Sequence, residues 1–251
     1  MKIFNEKENT MANFILVHGG WSGGWVWNRT IPALEAAGHK VYAPDLPGHG
    51  QNKPESLPGV HLKDYVACLE EIIEKCDGPV ILVAHSMTGM VIAQIAEDLG
   101  EKVDKLVYAA AFMPDFKNKN MLGYMTADPW TCIGENTLVP SENGLLDINP
   151  EYARNLAFGL TSDEDFAYAS AHLQLETPNM WGDEISLGEN YRKVPKYYIH
   201  SLRDNCCTYY MQRVLVAAMP VVKEYYLEAD HFLMYSAADA FNKALLEIAG
   251  K

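Results

Sequence analysis

The run Val80-Ile81-Leu82-Val83-Ala84-His85-Ser86-Met87-Thr88-Gly89-Met90 constrains this chain more than any other stretch. Six mostly β-branched, apolar positions end at a serine, after which Val91-Ile92-Ala93-Gln94-Ile95-Ala96 turns helical. A buried strand, a one-residue corner and a buried helix need a tight turn, which lifts the Ser86 hydroxyl above a sheet. Small neighbours then let strand and helix approach closely. The flanking positions, usually glycine in such a corner, are Ala84 and Thr88. Taken alone the corner has two readings: an exposed nucleophile, or a serine that merely caps the following helix. The remaining chain decides between them.

At 251 residues, 49% of them hydrophobic, the chain has material for one large α/β domain or a core with an inserted cap. A formal charge of −13 argues against a nucleic-acid partner. No apolar run reaches membrane-spanning length, and the polar start lacks a signal-peptide core, residues 1–10 reading as a short leader or frayed end rather than a targeting segment. The expectation is a cytoplasmic protein without a membrane partner. Five cysteines form no CxxC pair and read as reduced thiols. Eight histidines show no HxxxH or HxH spacing, so no metal site is expected.

Apolar runs predict strands at 14–17, 39–43, 80–83, 103–111, 196–200 and 221–227. Helical periodicity falls at 24–37, 62–76, 86–99, 208–218 and 237–249. From about 113 to 192 the alternation stops, with short helical pieces at 150–158 and 162–175. That length is too great for an ordinary loop. The expected architecture is α/β: a six-stranded, mostly parallel, doubly wound sheet with an inserted helical cap. Residues 1–112 and 193–251 form the core, and 113–192 the cap.

Reacting groups in such sheets gather at the carboxyl ends of the strands. There the sequence places His18-Gly19-Gly20, Ser86, Ser201-Leu202-Arg203-Asp204 and Glu228-Ala229-Asp230-His231. Ser86, Asp204, His231 is the serine–acid–histidine chain order of an α/β-hydrolase triad. A serine hydroxyl needs a base to take its proton, the role for His231. The imidazole needs an acceptor to hold its tautomer, the role for Asp204. The backbone N–H groups of Met87 and Gly20 are the candidate oxyanion donors. Asp115, after the fourth strand, is a rival acid, and Asp230 reads as a loop former. Asp45 and His49 read as turn residues in a Pro- and Gly-rich loop. Gly19, Gly20, Gly23 and Gly24 lack a GxGxxG pattern or a P-loop lysine, so no cofactor is expected.

Several segments carry a resemblance. Phe14-Ile15-Leu16-Val17-His18-Gly19-Gly20-Trp21-Ser22-Gly23-Gly24-Trp25-Val26-Trp27 resembles the opening of the plant methylesterase and hydroxynitrile lyase group of α/β hydrolases, with its bacterial esterase relatives. So do the stretch from Gly38 to Gly50, Ala109-Ala110-Ala111-Phe112-Met113-Pro114-Asp115, and Ala229-Asp230-His231. The resemblance implies Ser86, Asp204 and His231 as triad, with Gly20 and Met87 as oxyanion donors. Thr88 in place of an elbow glycine, and the adjacent Cys206-Cys207, depart from the group's pattern. The lyases carry a threonine after the first-strand histidine and a lysine after the catalytic one; here those positions are Gly19 and Phe232. An apolar Phe232 offers no charge to a departing cyanide, and Ser86 excludes enzymes that need a carboxylate at the elbow.

The expected cap is rich in large apolar side chains, and no basic cluster is evident to clamp an anion. The expected substrate is a small, largely neutral carboxylic ester with an apolar or aromatic part. Candidate pocket residues are Gly19, Trp21, Thr88, Met113, Trp130 and Phe232. The other readings are a ligand-binding homologue with little turnover, and lactone, amide or cyanohydrin chemistry on the same triad. A homodimer is compatible with the sequence.

Overall fold

The computed structural model describes residues 11–51, 59–134 and 136–250, so the leader expected at 1–10 lies outside the described residues. In chain order the strands are β1 (Asn13–Val17), β2 (Lys40–Tyr42), β3 (Val80–His85), β4 (Val103–Ala109), β5 (Leu138–Pro140), β6 (Leu146–Ile148), β7 (Lys196–Ser201) and β8 (Lys223–Leu227). Six of them form one sheet in the order β2-β1-β3-β4-β7-β8, every neighbouring pair parallel. The central strands β1 and β3 are buried along their whole length. Coverage on both faces is why they read as unbroken apolar runs instead of alternating ones.

The chain steps from β1 to β2 on one side, then returns past β1 to β3 and moves outward through β4. Right-handed crossovers therefore put the first helix on the face opposite the next two. The helix α1 (Ile31–Ala36) packs against α11 (Ala238–Ala249), while α2 (Leu62–Ile73) packs against α3 (Gly89–Asp98). The reversal lies between β1 and β3, where a crevice opens at the carboxyl ends. Val17 pairs with Ala84, so the loop 18–20 and Ser86 leave the sheet side by side.

The helix expected at 24–37 is broken. A 3-10 turn spans Gly24–Trp27 and α1 begins only at Ile31, with Pro32 in its first turn. Proline has no N–H to extend a helix arriving from behind but fits the first turn, where N–H groups have no intrahelical acceptor, so a new helix starts there. The strand expected at 103–111 stops at Ala109, and Ala110 turns left-handed at φ 46°.

Between β4 and β7 the described residues add no strand to the main sheet. That insertion contains α4 (Met121–Ala127), α5 (Pro150–Ala157), α6 (Asp163–His172), α7 (Asn179–Gly182) and α8 (Glu189–Lys193). It is not wholly helical: β5 and β6 pair as an antiparallel hairpin, Leu138 opposite Ile148. Three-residue strands carry too little alternation to be read from sequence. Beyond it lie α9 (Tyr209–Ala218), α10 (Leu233–Ser236) and α11.

Gly89 opens α3 against β4. A Cβ there would stand 2.2 Å from the Phe112 carbonyl oxygen, a backbone atom unable to yield. Gly89→Ala should therefore lower stability by about 1–3 kcal/mol, the usual cost of overpacking. It should appear as a lower urea midpoint with an unchanged denaturant slope.

Candidate active site

Ser86 sits at φ 58°, a left-handed conformation that costs a non-glycine residue backbone strain. Contacts on every side hold it. The Phe112 amide donates to the Ser86 carbonyl at 3.0 Å. Thr88 is fully buried, and its hydroxyl lies 2.9 Å from the His85 carbonyl and 3.3 Å from that of Val17. At Gly19 a Cβ would come within 2.9 Å of the Ser86 Cβ, so only glycine lets the β1 loop pass the corner.

Three strand ends converge on the serine hydroxyl. His231, after β8, brings Nε2 to 3.0 Å from Ser86 Oγ, and its Nδ1 lies 2.7 Å from Asp204 Oδ2. Asp204, in the loop after β7, is fully buried at its side chain. With Nδ1–H donating to the carboxylate, Nε2 is left as the acceptor facing the serine O–H. The other Asp204 oxygen accepts the amides of Cys206 at 2.7 Å and Cys207 at 3.1 Å. Burial raises the Asp204 carboxyl above its ordinary range, while His231 and these two amides pull it back down. Burial and the neighbouring Asp204 push both thiols well above the ordinary cysteine value, so they are poor nucleophiles.

Asp204, Cys206 and His231 hold ligand-type atoms within 4.8 Å of one another. That carboxylate is already occupied by His231 and two amides, and the thiol stands 3.5 Å from the Leu156 carbonyl. The set fits a proton relay better than a metal.

The Met87 amide belongs to the 3-10 turn Ser86–Thr88 that opens α3, where the first N–H groups have no intrahelical acceptor. Gly20 lies opposite: a Cβ on it would be 3.4 Å from Met87 Sδ. The loop after β1 and the turn that opens α3 thus lie side by side at the adjoining ends of β1 and β3.

A family model described as the alpha/beta hydrolase family matches residues 14–244. The chain belongs to that family. It is 34% identical over 254 residues to putative methylesterase 11, chloroplastic, of Arabidopsis thaliana, covering 94% of this chain and 64% of that one. It is 32% identical to methylesterase 7 of the same plant, covering 97% of this chain and 98% of the relative. The crystal structure of polyneuridine aldehyde esterase superposes with a TM-score of 0.84 at 27% identity, covering 96% and 100%. The resemblance to the methylesterase group of alpha/beta hydrolases therefore holds over nearly the whole chain.

The other sequence candidates are placed unevenly. Phe232 is buried beside the relay, stacked on Phe158 at 4.2 Å with its ring 5.9 Å from that of His231. Trp21 packs edge-on against Trp181 at 5.9 Å, and Met113 is fully buried. Thr88 and Trp130 lie in contrasting settings. The Thr88 hydroxyl is spent on backbone carbonyls beneath the corner, and Trp130 is 69% exposed. Asp115 binds the amides of Lys117 and Asn118 and the Tyr124 hydroxyl, far from an acid's role in the relay. Asp230 accepts from Leu160, Thr161, Phe232 and Ser236, as a loop former would.

Two features carry no sequence signal of their own. Residues 128–132 brace the acid loop: Thr208 donates to Asp128, Cys132 N to Asn205 O, and Thr131 Oγ to Cys206 O. The second is Glu176, a fully buried carboxylate on the insertion.

Two buried histidines support the corner. His18 accepts the Leu46 amide at Nε2 and gives Nδ1–H to Gly19 O, the neutral form; burial, then the charge of His49, lowers its pKa to about 3. His85 donates Nε2–H to the His231 carbonyl at 2.8 Å, and burial followed by His231 holds its pKa well below 6.5. Below pH 6.5 the unfolded chain binds protons that these folded rings refuse. Their contribution is whole above that pH and is lost as pH falls toward the folded values. By pH 5 the loss should reach about 2 kcal/mol from His18, with a further loss of the same sign from His85. Urea midpoints at pH 7.5 and pH 5 check this, and equal midpoints would refute it.

Proposed function

We propose that this protein hydrolyses a small, largely neutral carboxylic ester with an apolar or aromatic part, through an acyl-enzyme on Ser86. The observation that carries the reading is the continuous Ser86–His231–Asp204 relay, at 3.0 and 2.7 Å, at the carboxyl end of the sheet. Methylesterases and polyneuridine aldehyde esterase among its relatives favour ester chemistry on that relay.

In this reading the Ser86 oxygen attacks the ester carbonyl as His231 Nε2 takes the hydroxyl proton. The carbonyl oxygen gains the charge, which the Gly20 and Met87 amides receive. Collapse breaks the carbon–oxygen bond, and His231 returns its proton to the leaving alkoxide, releasing the alcohol. A water then attacks the acyl carbon with His231 again as base, freeing the acid and Ser86. Asp204 stays ionised throughout and keeps the imidazole in the Nδ1–H form.

The insertion acts as the cap, closing the crevice between β1 and β3. Its Phe158 and the adjacent Phe232 give the histidine side an apolar aromatic wall, which suits an ester without charge. The same wall disfavours cyanohydrin cleavage, which needs a cation where cyanide departs.

Short-chain p-nitrophenyl esters and aromatic methyl esters test the reading directly. Turnover is expected on at least some of them, and a panel with none hydrolysed would overturn it. Ser86→Ala should abolish turnover and fluorophosphonate labelling together. Asp204→Asn should keep the fold and lower kcat by roughly 10⁴-fold, the penalty for presenting the wrong imidazole tautomer.

A further inference from the structure

Glu176 lies in the insertion between α6 and α7, and its carboxylate is fully buried. A charged group in that position must be paired. Its Oε2 accepts the Trp21 amide at 3.1 Å and faces His49 Nε2 at 2.9 Å. Its Oε1 accepts the Thr177 amide at 2.8 Å and faces the Tyr65 hydroxyl at 3.5 Å. Trp21 follows Gly20 and is left-handed at φ 57°, so the peptide joining them turns sharply and must be held. The insertion holds it from a second point as well, the Gln174 amide donating to the Trp21 carbonyl at 3.0 Å.

The same carboxylate presents an electrostatic difficulty. A Cβ on Gly20 would stand 3.2 Å from Glu176 Oε2. A negative charge so near the Gly20 amide opposes the negative charge that the amide exists to receive. His49 supplies the remedy. Its Nε2 faces Glu176 and its Nδ1 lies 3.1 Å from the Pro47 carbonyl, so both ring nitrogens meet acceptors. Only the doubly protonated ring satisfies both. Burial works against that charge, yet Glu176, the Pro47 carbonyl and Asp45 raise the His49 pKa above its ordinary value. The neighbouring His18 ring, 5.0 Å away, remains neutral and adds no competing charge.

Resting on the reading of Ser86 as nucleophile, we infer that Glu176 is a positioning residue for the oxyanion loop and His49 its counter-ion. Glu176 fixes the Gly20–Trp21 peptide through the Trp21 amide, and His49 cancels the charge that this acceptor brings. The pair acts as one neutral unit reaching from the insertion and the loop after β2 to the oxyanion site.

A fluorophosphonate is the probe, because phosphonylation of Ser86 also develops negative charge at the Gly20 amide and needs no knowledge of the natural ester. The rates compared are those of wild type, His49→Gln, Glu176→Gln, the double variant and Glu176→Ala, each checked for a cooperative thermal transition. His49→Gln keeps a donor but leaves the carboxylate uncompensated, so labelling should slow by about tenfold or more, at nearly unchanged probe affinity. Glu176→Gln keeps an acceptor and should lie within about threefold of wild type, whereas Glu176→Ala should slow by about tenfold or more. The double variant should recover most of the rate lost in His49→Gln, which damage to packing alone would not allow. A folded His49→Gln protein labelling at the wild-type rate, or a double variant no faster than His49→Gln, would overturn the counter-ion. Equal rates for Glu176→Ala and Glu176→Gln would overturn the positioning role, and that comparison stands even where His49→Gln does not fold. Wild-type protein that fails to label at all removes the reading of Ser86 itself, and this inference with it.

Discussion

The strained corner at Ser86 is the constraint on which the other parts depend. A serine at φ 58° persists only where its surroundings leave no relaxed alternative. Here β1 supplies Gly19 and the Val17 carbonyl, β3 supplies the His85 carbonyl, and the chain beyond β4 supplies the Phe112 amide. Gly89 lets α3 descend against Phe112 without a collision. Each contact is small. Together they hold the corner from which the Ser86 hydroxyl faces His231 Nε2 at 3.0 Å.

The reversal in strand order turns that local strain into a site. Because the crossover reverses between β1 and β3, the loop with Gly20 and the corner with Ser86 emerge from adjacent strands. β7 and β8 lie two and three strands from β3, yet their loops return far enough to bring Asp204 and His231 to the serine. Buried hydrogen bonds then tie the loops to one another. The Ser201 hydroxyl reaches the carbonyls of Ala229 and Asp230, tying the loop after β8 to the end of β7.

The strands are legible in the sequence because parallel strands covered on both faces leave continuous apolar runs, as in Val80–His85. Ser86, Asp204 and His231 stand out because each directly follows such a run or its short loop. What stays hidden depends on partners far apart in the chain. Nothing around Glu176 marks it as the partner of His49, 127 positions earlier, and His49 alone reads as a turn residue. Thr88 looks like an obstruction until its hydroxyl is found between two carbonyls. The hairpin formed by β5 and β6 is too short to show alternation, and Trp130 is an aromatic whose exposure no local pattern reveals.

Asp230 offers a different lesson about how such a protein can change. Its carboxylate gathers the Leu160 and Thr161 amides and the Thr161 hydroxyl from the insertion, while its backbone runs directly into His231. Asp128 does the same from the other direction, taking the hydroxyl of Thr208 just beyond the acid loop. The insertion is thus joined to the loops that carry Asp204 and His231, and cannot be exchanged for that of another protein as a module. A transplanted segment without those donors would strand a buried carboxylate next to the histidine. Diversification is accordingly cheapest at its exposed periphery, around residues such as Leu122, Val139 and Tyr152, where replacement disturbs neither anchor.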